Sequence, residues 1–402
     1  MQGIYIDRSR KRPIRAMAAP SIQPEAAASR YLNDDVVTEI LLRLPSAAVL
    51  RFRAVCKAWR RITTSPFFVA AHARRRRPPE LIFQRHGAGY GTLNTIPLDA
   101  PDETRRIDIR YPNPEFSRPN KSGWPGYILI DSCDGLLLFA RGLGTDHFVC
   151  NPVTRQWTML PHPPGARLLP CGFYHHRPSG EHRLLWVTDD QRGSHYVYSL
   201  EAAEARRLGP AYPVVPLSGQ PPIEHLNHRG KLHWLNYPGV MFFSDDPRDP
   251  EAEETYKIMA FDTVSETFRR ISRPPGRSDR YRGEHYFLLE MDGMLAMTDI
   301  LNGSMDLWVL RNYDNDRSWR RRLRVDLPPP LKHASWSMNA GMERQDVLLL
   351  GDTSHCSVWL YDMTEKRVLK HTQFEWRHHR LHALVFRDSL KRHHFFDLEQ
   401  HQ

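Results

Sequence analysis

Hydrophobic and polar positions recur along this chain with two different periods, and the change of period divides it. Between residues 32 and 68 the apolar side chains fall on one side of successive helices. They are Val36, Val37, Ile40, Leu41 and Leu44, then Val49, Leu50 and Phe52, then Val55, Cys56, Trp59 and Ile62. Asn33 is placed to cap the first helix by accepting a backbone N–H from Val36 or its neighbour, with Asp34 and Asp35 at the positive end of the helix dipole. Leu32 and Val37 stand at the spacing of a hydrophobic staple. Pro45 stops the first helix, Ser46 is placed to cap the second, and Ser65-Pro66 closes the unit. The pattern predicts three helices. So short a unit has too little interior to bury all that apolar surface, and the remaining faces need either the rest of the chain or another protein.

From residue 80 the period becomes that of short strands punctuated by Pro, Gly and Asp. The strand-like runs are 80–84, 127–132, 135–140, 147–151, 183–188, 195–200, 231–236, 256–261, 295–300, 307–310, 347–351 and 358–362. Two turn patterns alternate between them. In one, a Gly or Asp turn precedes an apolar run, at Asp134-Gly135, Arg229-Gly230, Asp292-Gly293 and Gln345-Asp346. In the other, Asn151, Asp262 and Asp362 stand at a bend where the side chain bonds local N–H groups, and Trp157 and Phe268 lie on the returning strand. Units of roughly 45–60 residues with about four strands each are the signature of propeller blades. A β-sandwich is the alternative. The run Ala70–Pro79, ending in Pro-Pro, separates the two regions and reads as a hinge.

Composition narrows the class. The chain has 402 residues, 41% of them hydrophobic, enough for a core. No apolar stretch is long enough for a membrane-spanning helix. The first 30 residues lack an apolar signal region and read as a disordered, basic, Ala-rich leader, with Met17 as a possible alternative start. Five scattered cysteines without CxxC spacing point to reduced thiols and a cytoplasmic or nuclear protein. The formal charge of +10 raises nucleic acid as a partner. The basic runs Arg8–Arg12, Arg74–Arg77 and Arg317–Arg324 share no recognition helix and accompany no DNA-binding motif, so they read as solvated charge.

The helical segment resembles an F-box along its whole length. It supplies Leu32, Asp35, Glu39-Ile40-Leu41, Arg43-Leu44-Pro45, Val49, Arg51-Phe52-Arg53, Val55-Cys56-Lys57, Trp59-Arg60, Ser65-Pro66 and Phe68. Asn33 stands where that family usually has Pro. The resemblance implies binding to the Skp adaptor, and through it to a cullin ligase, by Leu32, Ile40, Leu41, Leu44, Pro45, Leu50, Cys56 and Trp59. The β-rich region resembles the plant-type F-box-associated domain, related to kelch-like propellers. Its most recognisable stretches are Ser132–Phe139 and Val149–Pro161, with 380–390 resembling the last strand.

The expected architecture is therefore an α+β multidomain chain, a small three-helix F-box followed by a large all-β, β-propeller-like domain. Its parts are a leader (1–30), the F-box (31–70), an Arg/Pro linker (71–79), the β-rich domain (80–390) and a His-rich tail (391–402). The implied function is substrate recognition in an SCF-type ubiquitin ligase, with an unidentified protein target and no catalysis. The alternatives are a basic nucleic-acid-binding protein and an adaptor-bound protein acting outside the ligase; a propeller enzyme would need clustered acids or metal ligands. No phosphate-binding loop, nucleophile elbow or dinucleotide fingerprint occurs, and no cofactor is implied. Cys171 with His175 and His176, and the tail histidines His378, His379, His382, His393 and His394, lack the paired spacing of a zinc site. Asp131, Asp134, Asp189 and Asp190 read as turn formers.

Overall fold

The computed structural model describes residues 32–75, 80–84, 92–97, 105–109, 127–141, 146–161, 168–188, 194–208, 225–235, 257–275, 286–332, 334, 336–339, 346–352, 357–373 and 383–397. The leader, residues 76–79 of the linker, Asp189, Asp190, His378, His379 and His382 lie outside them. Among the described residues, no helix is long and apolar enough to cross a membrane.

The helical head has four helices, not three: α1 (Asp34–Leu42), α2 (Ser46–Phe52), α3 (Lys57–Thr64) and α4 (Pro66–Arg74). Pro66 does not close the head. It opens α4 instead, because a helix has no use for an N–H at its first position and proline's fixed φ suits it. The linker expected from residue 71 is thus helical as far as Arg74. α4 belongs to the head, since the buried His72 donates from Nε2 to the carbonyl of Leu44, between α1 and α2, at 3.0 Å.

The β-rich region is a six-bladed propeller of four-stranded antiparallel sheets. Blade 1 contains β1 (Glu80–Gln84), β2 (Thr92–Pro97) and β3 (Arg105–Asp108). Blade 2 is β4 (Tyr127–Cys133), β5 (Leu136–Arg141), β6 (Asp146–Asn151) and β7 (Gln156–Leu160). Blade 3 is β8 (Leu168–His176), β9 (Glu181–Thr188), β10 (His195–Ser199) and β11 (Glu204–Arg207). Blade 4 is β12 (Leu226–His228), β13 (Lys231–Trp234), β14 (Ile258–Asp262) and β15 (Thr267–Ile271). Blade 5 is β16 (Tyr286–Met291), β17 (Met294–Leu301), β18 (Ser304–Leu310) and β19 (Trp319–Asp326). Blade 6 is β20 (Trp336–Asn339), β21 (Val347–Asp352), β22 (Ser357–Asp362) and β23 (Arg367–Gln373). The last strand, β24 (Ala383–Phe386), returns to pair antiparallel with β1 and completes blade 1, so the two ends of the β-rich region close the ring.

All twelve strand-like runs of the sequence contribute to these strands. Both turn patterns are structural too. Asp134-Gly135, Arg229-Gly230 and Asp292-Gly293 have positive φ at both residues, as a two-residue hairpin matched to strand twist requires. At the second turn, Oδ1 of Asn151 accepts from the N–H groups of Val153 and Thr154 (2.9 and 3.1 Å). Asp262 does the same for Val264 and Ser265, and Asp362 for Thr364 and Glu365. One turn design therefore serves blades 2, 4 and 6.

The core lies between blades. Leu138 and Val149 of blade 2 pack with Phe173, Leu184 and Trp186 of blade 3, and Met291 and Ala296 of blade 5 with Leu348 and Tyr361 of blade 6. Trp157 and Phe268 pack at the edges of such layers. Polar staples join the same seams. Asp131 is no turn former: its carboxylate, buried on β4, accepts from the Phe173 N–H on β8 at 2.8 Å and faces His225 Nε2 at 3.4 Å. Burial is the chief influence on that carboxyl and raises its pKa. Glu266 gathers the Tyr174 hydroxyl (2.9 Å), Arg183 (2.6 Å) and Arg206 across the seam of blades 3 and 4.

The expected His-rich tail is in part a built element. After β24 the chain crosses the blade 2 and blade 3 edges, and His393, Phe395 and Phe396 are buried there. Two aromatic rings on an otherwise polar tail account for this, because they complete the apolar layer between blades 2 and 3.

Candidate functional site

α1 has two apolar faces. Val37 and Leu41 point into a small core with Val49 of α2, Phe68 of α4 and Leu390 from the segment after β24. Val36 and Ile40, one position earlier in each case, lie about 100° round the helix and are 47% and 43% exposed. Leu32, just before the Asn33 N-cap, is 60% exposed, and Leu44, just past the end of α1, is half-buried. Leu32 therefore does not join Val37 as the staple pattern suggested. Val55 and Phe67 add further exposed apolar surface on the head. Elsewhere among the described residues the exposed large hydrophobic residues are only Val264 and Val385. Such a concentration marks a surface meant to be covered.

The remaining residues of the expected adaptor set fall into three groups. Pro45 and Cys56 are exposed, and Leu50 and Trp59 are half-buried. Trp59 stands edge-on against Phe52 with ring centroids 5.4 Å apart, fixing the start of α3. Cys56 is also the N-cap of α3, its Sγ accepting from the Trp59 N–H at 3.4 Å. Leu41, also in the expected set, has no exposed surface, because the face of α1 that carries it is occupied by the chain's own core. Val36, Val55 and Phe67 were not in the set. The signal for Val36 was present in its place one turn before Ile40.

The head is fixed to the propeller rather than hinged to it. The Ser46 N–H, at the start of α2, donates to Oδ2 of Asp388 at 3.1 Å. The expected Ser46 cap is thus replaced by a carboxylate from the far end of the chain, and Pro45 occupies the capping position. Leu390 enters the head's core, and Val153 of the β6–β7 turn packs beside it. The same segment is held below by Asn151 Nδ2, which donates to the Ser389 and Lys391 carbonyls at 3.2 and 3.3 Å. Arg53 donates to the Thr63 carbonyl at 2.8 Å, and burial foremost, with Arg392 and Arg60 nearby, lowers its pKa.

Of the basic runs, Arg317–Arg324 lies wholly within the described residues, whereas Arg8–Arg12 and residues 76–77 lie outside them. Arg317–Arg324 leads into and along β19, the outer strand of blade 5, where Arg321 and Arg324 face Asp306 and Arg322 pairs with Asp292. Carboxylates already neutralise much of that edge. Cys171 is buried, its thiol donating to the Leu169 carbonyl. Cys56, Cys133, Cys150 and Cys171 are free thiols, and burial keeps the Cys150 thiol protonated.

The chain is thus a short helical head with an uncovered apolar surface, packed onto a closed β-propeller. Comparison with known proteins agrees. Residues 98–396 match the F-box associated beta propeller domain and residues 31–69 the F-box domain, so the chain belongs to the F-box associated beta propeller family. It is similar to F-box protein At5g18160 of Arabidopsis thaliana, 25% identical over 353 residues that span 85% of this chain and 82% of that protein. F-box protein At3g07870 of the same plant is 24% identical over 323 residues, 75% of this chain and 74% of that one. A chain from the crystal structure of a nidogen/laminin complex overlays with a TM-score of 0.46 at 13% identity, covering 77% of this chain and 99% of that chain. F-box domains generally bind the Skp adaptor in SCF complexes, and the proteins that carry them are generally non-catalytic subunits.

Proposed function

We propose that this protein is the substrate-recognition subunit of an SCF-type ubiquitin ligase in the cytoplasm or nucleus. The head binds the Skp adaptor, and the propeller holds a protein target. The observation that carries the reading is the exposed apolar surface of Leu32, Val36 and Ile40, with Val36 and Ile40 about 100° round α1 from the buried pair Val37 and Leu41. A helix with one apolar face already satisfied has no internal use for a second one. We place Leu44, Pro45 and Cys56 on the same contact surface, with Leu50 and Trp59 supporting it and Leu41 beneath it. Asp388 and Leu390 give the mechanism its geometry. A head locked to the propeller holds the target at a set distance from the ubiquitin-charged enzyme, which raises the local concentration of target lysines without a reactive group on this chain.

The test is purification of the full chain from cells that supply adaptor and cullin, beside a Val36→Asp/Ile40→Asp variant. Recovery of both partners with the wild type and neither with the variant supports the ligase reading. Recovery of the adaptor without cullin would place the protein in an adaptor complex outside the ligase, and recovery of neither with the wild type would refute the proposal.

A further inference from the structure

Where the segment after β24 crosses the propeller, it meets a buried imidazole held between two carboxylates. His182 lies on β9 of blade 3 and has no exposed surface. On one side its Nδ1 is 2.9 Å from Oε1 of Glu201, just after β10, and Oε2 of Glu201 accepts from the His182 backbone N–H at 2.7 Å. A carboxylate only accepts, so Nδ1 carries a proton. On the other side Nε2 faces Oδ2 of Asp134, at the β4–β5 turn of blade 2, across 3.8 Å. A neutral ring would turn a bare lone pair toward that carboxylate, in a place closed to water. A second proton, on Nε2, converts the repulsion into attraction. The Asp134 side chain, 58% exposed, has the freedom to close the gap.

Other elements bring further titratable groups to this ring. Cys133, at the end of β4, keeps its proton, because burial foremost, and then Asp134 and Asp131, raise its pKa. His175 on β8 has its ring centroid 5.0 Å from that of His182 and its Nδ1 4.0 Å from the same Asp134 oxygen. The crossing segment supplies Lys391, whose charge opposes a second cation, and His393, edge-on to His182 with centroids 4.7 Å apart. His393 stays neutral: burial first, then the charges of His182 and Lys391, push it down to about 3. For His182 burial is again the largest single influence and acts downward. The Asp134 and Glu201 carboxylates together outweigh it and hold its pKa above 6.5. His182, in turn and foremost, holds the Asp134 carboxyl below its usual range.

We infer that His182 is a proton-operated latch: its imidazolium bridges Asp134 of blade 2 and Glu201 of blade 3 against the His393 ring and fastens residues 387–397 to the propeller, and loss of its second proton as pH rises loosens them. Two contacts pass the change to the segment. The edge-on His393 ring is attracted to a cation more than to a neutral imidazole. Gly135, next to Asp134, packs so closely on Ser389 that the turn and the segment move together. The same segment carries Asp388 and Leu390, which hold the head, so the latch sets how firmly the head is fixed. Because the folded pKa is raised, the stabilisation is complete below 6.5 and is lost as pH rises through the folded value. The latch goes beyond the docking role and stands whether or not the adaptor binds.

The experiment is hydrogen–deuterium exchange mass spectrometry of the full chain from about pH 5 to about pH 9. Slow exchange at the imidazole Cε1 proton reads the titration midpoint of His182, and amide exchange, corrected for its intrinsic pH dependence, reads the protection of residues 387–397. His182 should titrate above 6.5. Asp134→Asn should lower that midpoint, and it should fold, because Asn suits the positive φ of this turn position before glycine. Protection of 387–397 should fall about tenfold per unit by which the midpoint is raised, as pH passes from below 6.5 to above the midpoint, and should vary less in Asp134→Asn. A His182 midpoint at or below 6.5 would overturn the inference. So would protection of 387–397 that does not change with pH in the wild type, or that changes equally in Asp134→Asn.

Discussion

Gly135 shows how a single residue joins distant parts of the chain. Its φ of +84° suits the hairpin, and a Cβ there would stand 2.3 Å from Ser389 Cβ and 2.9 Å from its backbone nitrogen. Gly135→Ala therefore combines backbone strain with a clash that has no flexible atom to yield, and should cost about 2–4 kcal/mol in denaturant unfolding. Gly180 has a similar φ of +72° but open space around it, so Gly180→Ala should cost only about 1–2 kcal/mol. The Asp-Gly turn was legible in the sequence. Its contact with Ser389 was not, because nothing local records which segment passes over a turn. Protonation at the residue scale is also decided by burial. Burial, as the leading cause, pushes His195 down to about 4 and His233 to about 3, and His233 also faces His228. Both imidazoles stay neutral in the fold, while the unfolded chain takes up their protons near pH 6.5. Their contribution is complete above that pH and is lost as pH falls through the window from about 6.5 to about 4 for His195 and to about 3 for His233. In urea unfolding compared between pH 7.5 and pH 5, His195→Gln should reduce the pH-dependent loss by about 2 kcal/mol.

At the scale of elements, α1 carries the clearest separation of stability from function. Leu41→Ala removes a fully buried side chain and should destabilise the head by about 2–5 kcal/mol. Adaptor affinity of the molecules that remain folded should be little changed. Ile40→Asp places a charge in solvent, should leave the melting temperature nearly unchanged, and should abolish binding. Sequence periodicity found the helix but assigned both residues to one stripe, because the apolar arc is wide and the partner of its inner half, Leu390, lies at the other end of the chain. α2 depends on the same segment. Asp388→Ala removes the acceptor for the Ser46 N–H and should cost about 1 kcal/mol by differential scanning calorimetry, with protease sensitivity rising in residues 32–75. Strand recognition failed where charge dominates. β3, β11 and β19 read RRID, EARR and WRRRLRVD, outer strands whose solvent-facing arginines hide the two-residue alternation. β8, with Pro and Gly in LLPCGFYHH, was lost to its irregularity, and its register shift at Pro170 to Gly172 is the physical counterpart.

The whole molecule is held by closure. β24 supplies one edge of blade 1, and its residues Leu384 and Phe386 join the apolar layer shared with blade 2. Deleting residues from 383 onward would expose the β1 edge, uncap α2 and strip Leu390 from the head. The truncated chain should elute as soluble aggregate in size-exclusion chromatography, because an open β edge next to apolar surface invites pairing between molecules. Propeller architecture was legible from the repeated turns, and the closing strand from its resemblance to the family's last strand. The blade count was not, since blade 3 lacks the Asp-Gly signal and blade 1 is assembled from both ends of the domain. The docking of head on propeller was equally hidden. A charge run ending in Pro-Pro looks like a hinge, whereas the orientation is set by Asp388 and Leu390 on the other side of the interface.

The most direct measurement is titration calorimetry of the purified Skp adaptor into the full chain and into Val36→Asp/Ile40→Asp, each checked for an unchanged melting temperature. Wild-type binding at one adaptor per chain, with at least a hundredfold weaker binding by the equally stable variant, is the outcome that follows from the outward face of α1. Equal affinity of the two proteins, or no binding by the wild type, would contradict it.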